Sequence, residues 1–350
     1  RLPETYSGSL AQVNYRIPLD IRYVGGKAYI IRDYSHHHFI QPGMQVLSIN
    51  GRSMKEIRKM LLNSIPSDGG HLSAKMYEVN HGFSEVFSLY VGGSEHFDIE
   101  CIDNMGKRIN LRIEAQTPEL LRSLSGKSLS EPANLDSLPS KLMIRENSQT
   151  AVLTVRAFIA NDWQSYNDYL KQAFSRLRSE NVSRLIIDVR GNRGGHPFFA
   201  AELLSYLSPK RFPYFNLPME QGEFAPLYQP WQPKPDYFQG ELAVLMDGGC
   251  LSTTGHFLSL IRYHRLGILI GEPSGSTFYA NDQSIRLSLP ETGIIMNLPR
   301  TTYQTAVEGF QKDDPLLPDY QVIPSLDDLL KERDVQMDYA FRQFGMGKEQ

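Results

Sequence analysis

Cysteine is nearly missing from this chain of 350 residues: there are two, Cys101 and Cys250, with the spacing of neither a metal site nor a redox pair. They fall in what the pattern below divides into different domains, so no disulfide is expected, and the redox compartment stays open. No apolar run approaches the about 20 residues that a membrane-spanning helix needs. No block of basic residues occurs, and 36 Lys and Arg against 39 Asp and Glu leave a net charge of −3, so nucleic acid is not expected as a partner. The glycine-rich turns carry neither a Gly-Lys-Ser/Thr ending nor Gly-x-Gly-x-x-Gly spacing, which argues against nucleotide binding. What remains is a globular chain whose length suits two or three domains.

Against those absences stands the run Leu185-Ile186-Ile187-Asp188-Val189-Arg190-Gly191-Asn192-Arg193-Gly194-Gly195, an apolar strand that stops in a polar, glycine-rich turn before a helical pattern. Three glycines permit positive φ and close approach of a ligand atom, while Asp188, Arg190 and Asn192 can brace the turn. Exposed N–H groups there suit an oxyanion; a turn with no ligand is the plainer reading. A second segment, Leu242 to Phe257, repeats the logic with an apolar strand, the pair Gly248-Gly249, small polar residues and a helix. Ser252 falls at that helix N-terminus, where N–H groups and the helix dipole favour the negative charge of an alkoxide nucleophile or a tetrahedral oxyanion. Ser252 and Thr253 would serve equally well as mere caps.

With Gly271-Glu272-Pro273-Ser274 following, the three segments resemble, in order and separation, the tail-specific or C-terminal processing protease family. Its signatures are an Asp-x-Arg-x-Asn-x-Gly-Gly turn, a small-residue serine segment and a Gly-Glu-Pro-Thr-like strand end. The resemblance, over residues 15 to 340, implies a serine endopeptidase that cleaves peptides or unfolded proteins through an acyl-enzyme. It implies Ser252 as nucleophile and oxyanion donors from the backbone of Gly194, Gly195 and Thr253. It also implies a peptide or protein partner, with the substrate's C-terminus a candidate point of recognition, no cofactor or metal, and a periplasmic or secreted location. A catalytically degenerate peptide-binding scaffold with the same fold, or a hydrolase of another acyl or carbohydrate ligand, are the alternatives.

The general base departs from the family pattern. Position 277, where the lysine of the Ser-Lys branch would fall, is Thr277, and no lysine lies between Glu272 and Arg300. The branch resembling the tricorn core and chlamydial proteases uses a histidine, whose ordinary pKa of about 6.5 suits a base. The resemblance places that histidine just ahead of the PDZ-like module, upstream of Arg1. Within the chain, His256 shares a helical face with Ser252 but would have to bend back sharply, and His196 follows the glycine turn either as turn structure or as a substrate contact. His36-His37-His38 reads as a solvated loop rather than a metal site. For the orienting carboxylate, the resemblance favours Asp313, with Glu308 and Asp314 as rivals and surface ion pairs as the bland reading of all three.

The fold expected is mixed α/β. Residues 1–14 read as a polar segment and 15–118 as a PDZ-like β-rich module, because Pro42-Gly43-Met44-Gln45-Val46-Leu47-Ser48-Ile49-Asn50-Gly51 resembles the PDZ signature of a turn, a packed strand and a tight Asn-Gly turn. An insertion is expected at 65–95, a linker at 119–147, and at 148–345 a core domain with a mostly parallel sheet and βαβ crossovers. The proline- and aromatic-rich stretch Lys210 to Gln239 reads as a packed connecting loop or a substrate wall.

Overall fold

The computed structural model describes residues 15–345, apart from 36, 70, 126–139, 146–148, 217–223, 283 and 312–313. The first lobe begins with β1 (Leu19–Val24), β2 (Lys27–Asp33), β3 (Gln45–Ile49) and β4 (Arg52–Ser53). Three helices follow, α1 (Met54–Ser64), α2 (Leu72–His81) and α3 (Phe83–Tyr90), then the hairpin β5 (His96–Ile102) and β6 (Arg108–Glu114). The antiparallel sheet runs β1-β2-β3-β5-β6, with β4 on β3. The expected tight turn is there: Asn50 and Gly51 both have positive φ, 49° and 75°, and Asn50 exchanges hydrogen bonds with Asp98. The stretch expected as an insertion supplies Val79, Phe83 and Phe87 to the same apolar core as Ile21, Val46 and Phe97, so it belongs to the body of this lobe.

The expected linker contains two elements, α4 (Pro118–Ser125) and β7 (Ser140–Arg145). The strand β7 pairs antiparallel with β8 (Thr150–Val155) and forms the sheet edge, so the core sheet starts before residue 148. Its polar residues Ser140, Lys141 and Arg145 leave it only half apolar, which is why it reads as loop among serines and prolines.

From β8 the chain alternates as the pattern predicts: α5 (Trp163–Ser179), β9 (Arg184–Asp188), α6 (Pro197–Ser205), β10 (Glu241–Met246), α7 (Thr253–Tyr263) and β11 (Ile268–Gly271). Two short ribbons pair β12 (Tyr279–Asp282) with β15 (Thr301–Gln304) and β13 (Ile285–Ser288) with β14 (Ile295–Leu298). Next come β16 (Tyr320–Gln321), α8 (Leu326–Leu330) and α9 (Val335–Gln343). The second sheet is ordered β16-β11-β10-β9-β8-β7 and is parallel except at β7. Both faces are covered, so its central strands are continuously buried. Leu185, Ile187 and Val244 join the α5, α6 and α7 side, whereas Ile186, Ala243 and Leu245 pack against Ala340 and Phe344. The aromatic stretch is a packed connection: Phe212, Tyr214, Phe215 and Phe224 are buried, and Phe215 stacks on Tyr303.

Helix α2 joins the lobes. Ser73 Oγ donates to the Ser274 carbonyl at 2.6 Å, His71 Nδ1 lies 3.4 Å from the Gly275 oxygen, and Glu78 pairs with Arg193. Gly248 meets the same helix: a Cβ there would collide with the Ser73 carbonyl. Gly248→Ala should therefore force the lobes apart locally and cost about 1–3 kcal/mol. Urea unfolding of the full chain measures this; an unchanged midpoint would mean that α2 yields without cost.

Candidate active site

The carboxyl ends of adjacent parallel strands are where active residues gather in such sheets, and Leu245 of β10 registers with Asp188 of β9. The two glycine turns therefore leave the sheet side by side. Asn192, wholly buried, ties them together: its Nδ2 donates to Val155 O at 2.9 Å, while its Oδ1 accepts from Gly194 N at 2.9 Å and from Thr254 Oγ1 at 2.8 Å. Leu251 N donates to the Asn192 carbonyl at 3.1 Å. Arg190 lies beneath, bonded to both oxygens of Asp188 and of Asp334. Burial alone would raise the Asp188 carboxyl, but its bonds and charge pairing with Arg190, helped by Arg156, bring it below the usual range.

Ser252 occupies the start of α7 with φ 50° and ψ −123°, and its side chain makes no capping bond. An N-cap residue normally has β-region angles and a hydroxyl that accepts from the first turn; Ser252 has neither. The capping reading is thus set aside by the geometry. A residue other than glycine held at positive φ costs of order 1–3 kcal/mol and requires surrounding structure to maintain it. Gly194 supplies part of that surround: a Cβ on it would lie 2.9 Å from Ser252 Cβ and 3.0 Å from Thr253 N.

One expected oxyanion donor is already occupied. The Gly194 N–H is committed to Asn192 Oδ1, so it braces the turn rather than facing a ligand. The N–H groups of Gly195 and Thr253 make no hydrogen bond among the described residues, as befits an exposed glycine of φ 138° and the first residue of a helix. Thr253 Oγ1 donates to the Gly195 carbonyl and holds those two residues together.

The histidine candidates fare differently. His256 is buried, its ring set edge-on to Tyr214 and Phe215, with neither nitrogen hydrogen-bonded. Burial pushes its imidazole down to about 3, so it is a core residue and not a base for Ser252. His196 N-caps α6, its Nδ1 accepting from Phe198 N at 3.4 Å, and its ring stacks on Phe198 and meets Phe224 edge-on. That is the turn-structure reading. Thr277 is buried, its backbone packed against Gly255 of α7. Asp313 and His36 lie outside the described residues, and Glu308 and Asp314 are exposed. Among the described residues no imidazole or ammonium group is hydrogen-bonded to Ser252 Oγ.

Two further residues escaped the sequence reading. Asp247 accepts from Gly191 N and Gly249 N, and the Tyr77 hydroxyl of α2 lies against Gly191. Asp247 carried a signal, since an Asp before Gly-Gly commonly bonds its own turn; Tyr77 carried none, because its neighbours are far away in sequence.

Residues 149–322 match the family model described as peptidase family S41. The chain carries a peptidase family S41 domain. That description names a family of peptidases. The S41 domain begins at β8 and ends just past β16, so it contains both glycine turns. Among solved structures, mature CPAF superposes with a TM-score of 0.65 at 12% identity, covering 93% of this chain and 80% of that one. Mature CPAF complexed with lactacystin gives 0.64 at 12% identity, covering 94% and 82%. At such identity the likeness is one of fold, and it extends over both lobes. The photosystem II D1 C-terminal processing protease matches with a TM-score of 0.41 at 14% identity, covering 94% and 80%. No curated protein matches the chain by sequence.

Glu272, at the end of β11, gives a pH prediction. Burial, then the charge of Asp247, push its carboxyl up from 4.5 to about 7, opposed by Arg22 of β1. A folded-state pKa above the unfolded value means that the folded protein holds the extra proton, so this group's favourable contribution is lost as pH rises from 4.5 to about 7. Glu272→Gln should flatten the fall in urea midpoint across that window; an identical pH dependence in the two proteins would remove Glu272 as its source.

Proposed function

We propose that this S41 domain is a serine endopeptidase of the C-terminal processing type, cleaving peptides or unfolded proteins through an acyl-enzyme on Ser252. The observation that carries the proposal is the backbone of Ser252, strained at φ 50°, without a capping bond, and pressed against Gly194 at the start of α7. Strain of this kind concentrates at functional sites. The Ser252 hydroxyl would attack the scissile carbonyl, and the N–H groups of Gly195 and Thr253 would receive the oxyanion. The proton acceptor is taken to be a histidine outside the described residues, oriented by a carboxylate for which Asp313 remains the candidate. The absence of any described base at Ser252 Oγ favours a second reading, a peptide-binding scaffold that has lost catalysis.

The first lobe is proposed to recognise the substrate, its C-terminus included. The outer edge of β1 is already satisfied at one residue by the lobe's own helices, since Asn80 exchanges bonds with the Tyr23 backbone, and just before the strand Ser84 Oγ donates to the Ile17 carbonyl. Beside that edge a cavity of about 200 Å³ is lined by Arg16, Asp20, Tyr34, His81, Glu85 and Arg122, with Arg16 3.9 Å from Glu85. Guanidinium groups suit a terminal carboxylate.

Ser252→Ala should abolish labelling by a fluorophosphonate probe and peptide hydrolysis while leaving the melting temperature nearly unchanged, since no cap worth about 1 kcal/mol is lost. Hydrolysis surviving in the variant would end the nucleophile assignment; no labelling of the wild type would favour the scaffold. Where the wild type is active, kcat/KM should rise through pH of about 6 to 7 as an imidazole deprotonates. With one peptide carrying either a free or an amidated C-terminus, the amide should raise KM several-fold. Equal KM values would remove the terminal carboxylate from recognition.

A further inference from the structure

A single carboxylate oxygen reaches both turns. Asp247 Oδ1 accepts from the Gly191 N–H and from the Gly249 N–H, each at 2.9 Å. Gly191 belongs to the turn that carries Gly195, and Gly249 to the segment that carries Ser252. At this point the backbones touch, for a Cβ on Gly249 would lie 2.8 Å from the Gly191 Cα. Two N–H dipoles converging on one place repel each other unless an acceptor stands between them, and a carboxylate oxygen is the strongest acceptor a side chain offers. The site is enclosed by Tyr77 of α2, whose ring crowds Gly249 and whose hydroxyl faces Gly191.

A carboxylate partly withdrawn from water is costly, and one used only to end a strand would be replaceable by a neutral turn residue. Asp247 is held at the junction of the two segments that, on the functional reading above, carry the nucleophile and an oxyanion donor. We propose that Asp247 is a positioning residue for that reaction: it fixes the separation of the Gly195 N–H from Ser252 Oγ by clamping Gly191 to Gly249. The inference rests on the assignment of Ser252 as nucleophile. The far end of the same junction is held by Asn192, through Gly194 and Thr254. Asp247 thus sets one end of the spacing and Asn192 the other. A misplacement of about 1 Å at such a site costs about 10²-fold in rate.

Two substitutions separate positioning from mere support. Asp247→Leu keeps the approximate shape and removes the acceptor, whereas Asp247→Asn keeps an acceptor oxygen. In the full chain, Asp247→Leu should lower kcat and the rate of fluorophosphonate labelling at Ser252 together by about 10²-fold, with KM for a peptide changed by less than about threefold. Asp247→Asn should stay within about tenfold of wild-type kcat. If Asp247→Leu does not fold, the asparagine variant still decides: a loss of about 10²-fold there would show that charge matters and that the clamp is wrong. Wild-type kcat in the leucine variant, or a rise in KM at constant kcat, would also overturn it. A wild type that neither labels nor hydrolyses would refute the peptidase reading itself, a result distinct from an active wild type beside unimpaired variants.

Discussion

A Cβ on Gly194 would sit 2.9 Å from the Cβ of Ser252, so the two turns can approach only because position 194 has no side chain. That approach governs much of the architecture. It requires β9 and β10 to be neighbours in a parallel sheet, so that both turns emerge at one edge. It requires the turn backbones to satisfy each other, which Asn192, Asp247 and the bond from Leu251 N to the Asn192 carbonyl achieve. It also requires something to hold Ser252 at φ 50°, against a cost of order 1–3 kcal/mol. Anchorage comes from α7 itself, whose first turns are buried from Thr253 through Ile261.

The first lobe takes part in this site as a wall. The Tyr77 ring occupies space that side chains at Gly191 and Gly249 would need, and Ser73 and His71 reach the segment after β11. All three lie on or next to α2, whose Asn80 also satisfies the edge of β1. One helix therefore contacts the three segments named by the sequence motifs and the strand edge where a peptide could add. A ligand pairing with β1 at Tyr23 would have to displace Asn80.

The sheet and its turns were legible because their signals are local. The continuous apolar run Leu185–Ile187 reads as a strand buried on both faces, and Gly191, Gly194 and Gly195 read as positive φ, which all three adopt at 70°, 97° and 138°. The strand β7 was not legible, since an edge strand exposed on one face has too few apolar residues to stand out from a serine-rich stretch. Ser252 showed as cap or nucleophile, and only its dihedral angles and the lack of a capping bond speak against the cap. His256 misleads for a related reason: its spacing from Ser252 is helical, but which side of α7 meets the core depends on Tyr214 and Phe215, some forty residues earlier. The commitment of the Gly194 N–H to Asn192 is likewise a matter of side-chain direction that composition and spacing do not carry.

Beneath turns proposed to gather negative charge on an oxyanion, carboxylates withdrawn from water would be a liability, since each repels the charge that must develop. Three carboxylates lie in this region, Asp188 buried and Asp247 and Glu272 partly buried, and each is managed differently. Asp188 stays ionised and is neutralised by the paired Arg190, with Arg156 beside it. Asp247 is raised by its burial, against which the Gly191 and Gly249 N–H groups act; its bound oxygen faces backbone dipoles rather than open space. Glu272, raised to about 7, is largely protonated below that pH. The net effect is that Arg190 and the converging N–H groups, more than the formal count of acids, set the field at the turns. A substitution of Arg190 would consequently act on the site through Asp188, even though its guanidinium contacts Asp188, Asp334 and Gln336 and not Ser252.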